Sequence, residues 1–192
     1  MTQPRARFLL SMLRGAVLAS ALAAAGLTTA VAANPEPKVL RYAFRVAETG
    51  FDPAKISDLY SRMITPHMFE GLYTYDQLAR PAKLKPLTAA SLPESSDDYK
   101  VWTVKLRPGI RFADDAAFKG KPRELTAEDY VYSIKRFADP AVASPAWSEV
   151  EELELLGLNE YREQVRKSGQ RFDYDKPIEG LRALDRYTLQ FK

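Results

Sequence analysis

The sequence predicts a mixed α+β fold in which short antiparallel strands alternate with amphipathic helices. Apolar residues alternate along residues 39–46 and 99–106 with the period of a strand that has one buried face. Polar or Pro-Gly turns follow several of the strand segments, as they do in antiparallel hairpins. Residues 126–138 have a helical pattern that begins with a capping signal. Strands and helices in this mixture are typical of the α+β class.

The first half of the chain is predicted to be mainly strand, with one short helix. The strand over residues 39–46 is followed by a loop at 47–53 and a helix within 59–69. Because Pro66 lies inside that stretch, the helix either starts near Thr65 or is kinked. Residues 72–76 are predicted to be a strand and 81–86 irregular chain. Residues 91–94 and 99–106 then form a hairpin around a polar turn at 95–98.

Residues 99–140 are the most informative stretch. One face of the strand carries three apolar side chains, Trp102, Val104 and Leu106. Because an apolar strand face packs on the core, Trp102 is predicted to be a core residue. A Pro-Gly turn at 108–109 leads to a short strand at 110–112 and a polar loop. The helix that follows begins with Thr126 and Asp129, which have the spacing of a capping box.

The last third is predicted to contain two helices and a closing hairpin. The helices cover residues 148–156 and 159–168, each ended by a glycine, Gly157 and Gly169. The hairpin joins residues 181–184 to 187–191 around Asp185-Arg186. Lys192 therefore falls inside a strand pattern.

Residues 1–33 are predicted to be a cleaved signal peptide. A positive region at the start contains Arg5, Arg7 and Arg14, and an apolar run follows at residues 15–27. The small-x-small sequence at 30–32 is the pattern that signal peptidase cleaves after. The apolar run is shorter than the roughly 20 residues that span a bilayer, which disfavours an uncleaved anchor. Cleavage is expected before Ala33 or one residue later, and it leaves a mature chain over residues 34–192.

Charge and composition exclude several function classes. The net charge of +3 belongs to the three arginines of the signal segment, so the mature chain is formally neutral and nothing predicts nucleic-acid binding. There is no cysteine, which excludes disulfides and thiol catalysis. The one histidine, His67, has no second ligand for a zinc site, and a partly buried structural role is expected for it. There is no nucleophile elbow, no phosphate loop and no recognisable triad. We therefore expect no catalytic residues, no metal and no cofactor.

Six short motifs occur in a fixed order along the chain. They are Phe-Asp-Pro at 51–53, Met-Phe-Glu-Gly-Leu at 68–72, Tyr-Asp at 75–76, Trp-Thr-Val-Lys-Leu-Arg at 102–107, Leu-Thr-Ala-Glu-Asp at 125–129 and Leu-Asp-Arg-Tyr-Thr-Leu at 184–189. Together they resemble the N-terminal lobe of family 5 solute-binding proteins, the oligopeptide- and dipeptide-binding receptors of bacterial ABC importers. The chain departs from the family pattern at 114–123, where a longer insert stands in place of an Asp-Gly step.

The resemblance implies part of lobe 1 of a two-lobed periplasmic-binding-protein type II fold. Family members are roughly three times as long, so we expect this chain to be a truncated N-terminal portion. The implied function is non-enzymatic: a monomeric periplasmic receptor binds a small solute, by default an oligopeptide, and delivers it to an ABC permease in the inner membrane. Two alternatives stay open, a periplasmic α+β enzyme and an inactive fragment that cannot bind alone.

The resemblance also implies two segments that line the solute site. The first is the loop after the Asp-Pro step, with Ser57, Asp58 and Leu59, where free backbone groups can pair with an extended peptide. The alternative for Ser57 and Asp58 is that they cap the next helix. The second segment follows the capped helix and contains Ala146 and Trp147. Peptide binders often have an aromatic where Ala146 stands, and Trp147 is either a cleft wall or core.

Overall fold

The structure is a computed structural model that describes residues 37–192. The predicted signal peptide at 1–33 lies outside the described residues. The described helices and strands all lie in one compact unit, residues 44–192. Its α-helices are α1 (Leu59–Ile64), α2 (Ala127–Ala138), α3 (Trp147–Glu151) and α4 (Leu158–Ser168). Its strands are β1 (Tyr73–Asp76), β2 (Lys83–Pro86), β3 (Glu94–Ser95), β4 (Trp102–Lys105), β5 (Leu181–Asp185) and β6 (Thr188–Phe191).

The strands form two antiparallel sheets. Strands β1 and β2 make a two-stranded ribbon, with Tyr73 opposite Pro86 and Asp76 opposite Lys83. The other four strands form a sheet in the order β3-β4-β6-β5. Strands β3 and β4, and β5 and β6, are hairpins, whereas β4 pairs with β6 across a long stretch of chain. The mixed α+β class is thus confirmed.

The core lies between the four-stranded sheet and helices α2 and α4. Helix α2 packs on β5 and β6 and contacts α4. The fully buried side chains include Leu158, Leu181 and Leu189, one from each of α4, β5 and β6. Burying a side chain of this size contributes about 2 kcal/mol each before entropy is counted. This core holds α2 in a fixed position.

The capped helix is confirmed. Thr126 precedes α2 in an extended conformation, and Asp129 completes the capping box by accepting the Thr126 backbone N–H at 2.8 Å. Helix α4 and its end are also confirmed, because Gly169 adopts the left-handed conformation at φ 65° and donates its N–H to the Val165 carbonyl. The closing hairpin and the strand near 72–76 form as predicted. A hairpin also forms at the polar turn, but its first strand is Glu94–Ser95 and not residues 91–94.

Three predictions of secondary structure are wrong. Residues 39–46 form no strand in the part of the chain that the structure describes. Residues 83–86, predicted as irregular, form β2 because β1 offers them a partner. Residues 110–112 form only an isolated bridge between Arg111 and Glu124 across the insert. At 83–86 and 110–112 the pairing partner, and not the local sequence, decides whether a strand forms.

Two further expectations fail for tertiary reasons. The helix predicted at 148–156 ends at Glu151, since the backbone of Leu156 pairs with Gly180 and Lys192 instead of continuing a helix. Trp102 is 36% exposed, although Val104 on the same face is buried. Trp102 lies near the end of its strand, where its indole N–H donates to the Tyr99 carbonyl at 2.8 Å. No helix within residues 37–192 is long and apolar enough to span a membrane.

Candidate functional site

The first predicted segment is the loop that leads into α1. Asp58 is extended (φ −77°, ψ 153°) and is the N-cap of α1, because its Oδ1 accepts the backbone N–H of Ser61 at 2.8 Å. The Thr49 hydroxyl donates to Oδ2 of the same carboxylate. The donors from Ser61 and Thr49 hold the pKa of Asp58 well below its ordinary value. The capping alternative therefore describes Asp58 correctly.

The two residues on either side of Asp58 have side chains exposed to solvent. Ser57 is exposed, and the Leu59 side chain is 66% exposed although it is apolar. Ala54 and Ile56, by contrast, are buried and hold the loop to the body of the protein. The loop thus alternates buried anchors with exposed residues.

An ion pair joins this loop to α2. The guanidinium of Arg136 donates from Nη1 to Asp52 Oδ1 at 2.8 Å and from Nη2 to Oδ2 at 2.7 Å. The carboxylate in turn accepts the backbone N–H of Ala54 at 3.2 Å. The Arg136 hydrogen bonds lower the pKa of Asp52, and the carboxylate raises the pKa of Arg136. Bidentate pairing of this kind fixes orientation as well as distance.

The second predicted segment follows the end of α2. Ser144 is buried, and its side-chain oxygen accepts the Ala146 N–H at 3.3 Å while its carbonyl accepts the Trp147 N–H at 3.3 Å. Ala146 is the N-cap residue of α3 and makes no side-chain capping bond. Trp147 begins the helix and packs, half-buried, against the hydrophobic core. The turn that carries Ala146 and Trp147 is thus locally well defined.

Arg162 of α4 covers the Trp147 ring. Its guanidinium carbon lies 4.4 Å from the ring centroid, within cation–π range. Its Nη1 also donates to the Ala138 carbonyl, the last residue of α2, at 2.9 Å. Burial lowers the pKa of Arg162. One side of the indole is therefore occupied by the protein itself.

The structure brings Ser57, Asp58 and Leu59 together at the start of α1, and Ala146 and Trp147 at the start of α3. In the described residues no hydrogen bond, ion pair or aromatic contact joins the two groups directly. Asp52, at the start of the first loop, pairs with Arg136 of α2, and the Trp147 ring is covered by Arg162, which bonds to the last residue of α2. Sequence reasoning missed Arg136 and Arg162, since no local pattern pairs an arginine with a partner 84 residues away, as for Arg136, or 24 residues away, as for Arg162.

A cavity of about 860 Å³ lies beside the Asp52–Arg136 pair. Pro53 and Ala54 form one wall, and Arg136 and Phe137 belong to the α2 side. His67 also lines this cavity and is exposed, so the expectation of a partly buried histidine is wrong. Within residues 37–192, no group of three or more His, Cys, Asp or Glu side chains could hold a metal ion.

The chain belongs to the family of bacterial extracellular solute-binding proteins, family 5. The family model "Bacterial extracellular solute-binding proteins, family 5 Middle" matches residues 83–192, more than half of the sequence. The match includes β2, the whole four-stranded sheet and helices α2 to α4. The resemblance inferred from the six motifs is therefore confirmed.

Characterised relatives agree with this family. The chain is 35% identical over 141 residues to the periplasmic oligopeptide-binding protein OppA of Escherichia coli, covering 72% of this chain and 22% of OppA. It is 33% identical over 133 residues to di/tripeptide-binding protein 2 of Pseudomonas aeruginosa, covering 68% of this chain and 23% of the relative. The chain thus spans less than a quarter of the length of either relative.

Solved structures share the fold. The crystal structure of Haemophilus influenzae OppA in complex with the peptide RPPGFSPFR matches with a TM-score of 0.57 and 28% identity. The match covers 75% of this chain and 24% of that one. Listeria monocytogenes OppA bound to peptide matches with a TM-score of 0.55 and 27% identity, over 76% and 25% of the two chains. The mixed helix-and-sheet architecture is that of OppA-type binding proteins over about a quarter of their length.

Proposed function

We propose that the chain is part of the periplasmic substrate-binding component of an ABC transporter, which binds peptides or similar small solutes for import. The observation that carries this proposal is the family match over residues 83–192. Relatives named for oligopeptide and for di- or tripeptide binding favour a peptide as the solute. The proposed mechanism is non-covalent, without enzymatic chemistry and without a cofactor.

The solute is proposed to contact the exposed loop and the turn at the start of α3. Ser57, Asp58 and Leu59 would offer backbone groups that pair with an extended peptide, as in strand addition. Ala146 and Trp147 would form a second wall. Because Arg162 covers one side of the indole, only the rest of the ring is available to a solute.

The location and partners follow from the same proposal. The signal peptide at residues 1–33 would direct the chain to the periplasm, where it acts as a monomer. The partner that receives the solute would be an ABC permease in the inner membrane. Two lobes that close on a solute present a different surface from two open lobes, and this difference lets a permease distinguish the loaded receptor.

A titration with RPPGFSPFR tests the proposal. The exported chain is purified and titrated calorimetrically with this nonapeptide and with trialanine, and the all-D form of each peptide is the matched control. Saturable binding of the L-peptides with much weaker binding of the D-forms supports the proposal, since backbone pairing depends on chirality.

If a chain that melts cooperatively shows no saturable binding, peptide binding by this chain is overturned. That result favours the alternative in which the chain is inactive on its own. Turnover of a peptide during the titration would instead favour the enzyme alternative.

A further inference from the structure

We propose that the C-terminal turn of α2 is a shared anchor for both solute-lining segments, and that Arg136 and Arg162 are the residues that position them. This inference rests on the proposed peptide-binding function, because it concerns the same two segments. Neither arginine is proposed to touch the solute. Each acts through a residue or a ring that it holds in place.

The first attachment is the Asp52–Arg136 pair. Asp52 opens the turn that leads to Ser57, since its carbonyl accepts the Lys55 N–H at 2.9 Å and its Oδ1 accepts the Ala54 N–H. The Arg136 side chain is 27% exposed and that of Asp52 is 33% exposed, so water screens the pair less than a fully exposed one. Two parallel hydrogen bonds at 2.8 and 2.7 Å prevent the turn from rotating about a single contact.

The second attachment is made by Arg162. The carbonyl of Ala138 is one of the last four in α2, which have no partner inside the helix. Arg162 satisfies it at 2.9 Å and places the same guanidinium 4.4 Å from the Trp147 ring centroid. Arg162 thus ties the end of α2 to the beginning of α3. Trp147 is held by a group that is itself fixed to the α2 backbone.

The two attachments meet on one turn of helix. Arg136 and Ala138 are two residues apart in α2, and the packing of this helix on β5 and β6 keeps the turn in place. A helix is stiff over one turn, so the distance between the two attachment points is fixed. Loss of one attachment should therefore loosen its own segment and leave the other in place.

Hydrogen exchange measured by mass spectrometry tests the first attachment. Arg136→Met keeps the aliphatic stem and removes both hydrogen bonds to Asp52. We expect amide exchange in residues 53–59 to become about tenfold faster, the local opening expected when a segment loses a charged tether. Exchange in residues 146–151 should stay unchanged, and the affinity for RPPGFSPFR should fall by a similar factor.

Arg162→Met tests the second attachment with the opposite pattern. Exchange in residues 146–151 should accelerate while residues 53–59 keep the wild-type rate. The matched control is Arg166→Met, which removes another arginine of α4 that pairs with Glu163 at 2.7 Å and touches neither segment. This control should change neither exchange rate and should leave peptide affinity at the wild-type value. If Arg136→Met does not fold, Asp52→Asn carries the same test from the other side of the pair.

The outcomes separate the anchor from the proposed function. Uniform acceleration over residues 44–192, or no change at 53–59 in the Arg136→Met and Asp52→Asn variants, overturns the anchor. If the wild-type chain does not bind RPPGFSPFR but both segments loosen selectively, the anchor stands and the proposed function fails. If the wild-type chain binds and neither segment loosens, the proposed function stands without the anchor.

Discussion

Gly180 lies directly against the backbone of Leu156. Its N–H donates to the Leu156 carbonyl at 2.8 Å, and the Leu156 N–H donates in turn to the Lys192 carbonyl at 3.1 Å. A Cβ atom at Gly180 would clash with the Leu156 nitrogen and stand 2.6 Å from the Lys192 oxygen. The chain after α3 is thereby joined to the closing hairpin by backbone contacts that leave no space for a side chain.

This contact predicts that Gly180→Ala is strongly destabilising. The added methyl group meets backbone atoms, which cannot move aside as a flexible side chain can. We therefore expect the free energy of unfolding to fall by about 3 kcal/mol, the upper part of the range for overpacking. Urea unfolding followed by circular dichroism measures it. Gly50→Ala is the matched control, because nothing lies within 4 Å of a Cβ there. Equal stability of the two variants would contradict the close approach.

Glu124 should make folding sensitive to acid. Its carboxylate accepts from Arg186 at 2.8 Å, from the Gly109 N–H at 2.7 Å and from the Tyr187 hydroxyl at 2.9 Å. These bonds, led by that from Arg186, lower its pKa from 4.5 to about 2. Since the folded-state pKa is the lower one, its contribution to stability is complete above about pH 4.5 and is lost as the pH falls towards 2.

The Glu124→Gln variant isolates this effect. We expect it to have a lower Tm than the wild type at pH 6, and the difference between the two should shrink as the pH falls from 5 to 2. Differential scanning calorimetry at a series of pH values gives both curves. Glu48→Gln, at an exposed loop residue, should follow the wild-type curve. A constant difference between Glu124→Gln and the wild type at all pH values would argue against the mechanism.

Lys135 stabilises the fold as a buried donor. It is only 4% exposed, and its Nζ donates to the carbonyls of Tyr174 at 2.7 Å and Lys176 at 2.8 Å. Burial lowers its pKa. Lys135→Met removes the donor from both carbonyls, for which we expect a loss of about 2 kcal/mol in the free energy of unfolding. The exposed Lys121→Met is the control. If both variants lose equally little free energy of unfolding, water satisfies the two carbonyls in place of the ammonium group.

Asp58 can be tested for a role beyond capping. Serine is as good an N-cap as aspartate, but it lacks the second oxygen that accepts from Thr49, so Asp58→Ser should lower the Tm less than Asp58→Ala does. If the carboxylate also contacts the solute, Asp58→Ser lowers the affinity for RPPGFSPFR more than Thr49→Val does, a variant that loses the same hydroxyl contact and keeps the carboxylate. Calorimetric titration of both variants decides between the roles. Unchanged affinity in Asp58→Ser restricts this residue to the cap of α1.

The predicted signal peptide has a direct test. We expect the N-terminal sequence of the protein recovered from the periplasm to begin at Ala33 or Asn34, because the small residues at 30 and 32 fit the peptidase. Intact mass spectrometry of the same sample checks the cleavage. A protein that retains residues 1–33 in the membrane fraction would mean that the apolar run acts as an anchor.

Elements with strong local signals could be predicted from the sequence. Helix α2 begins at its capping box because Thr126 and Asp129 are three residues apart and satisfy each other. Helix α4 ends at Gly169 for an equally local reason, a left-handed residue that satisfies a carbonyl of the last turn. The six motifs likewise placed the chain in its family. The locations of the two solute-lining segments remain a prediction.

Tertiary structure decided everything that depends on a distant partner. The Lys83–Pro86 strand exists because β1 lies beside it, and Trp102 is 36% exposed although Val104 on the same strand face is buried. The pairs Arg136–Asp52 and Gly180–Leu156 link positions far apart in sequence. A local pattern sets the conformation of a few residues, since its hydrogen bonds close within one turn. Only packing of the whole unit selects which distant groups meet.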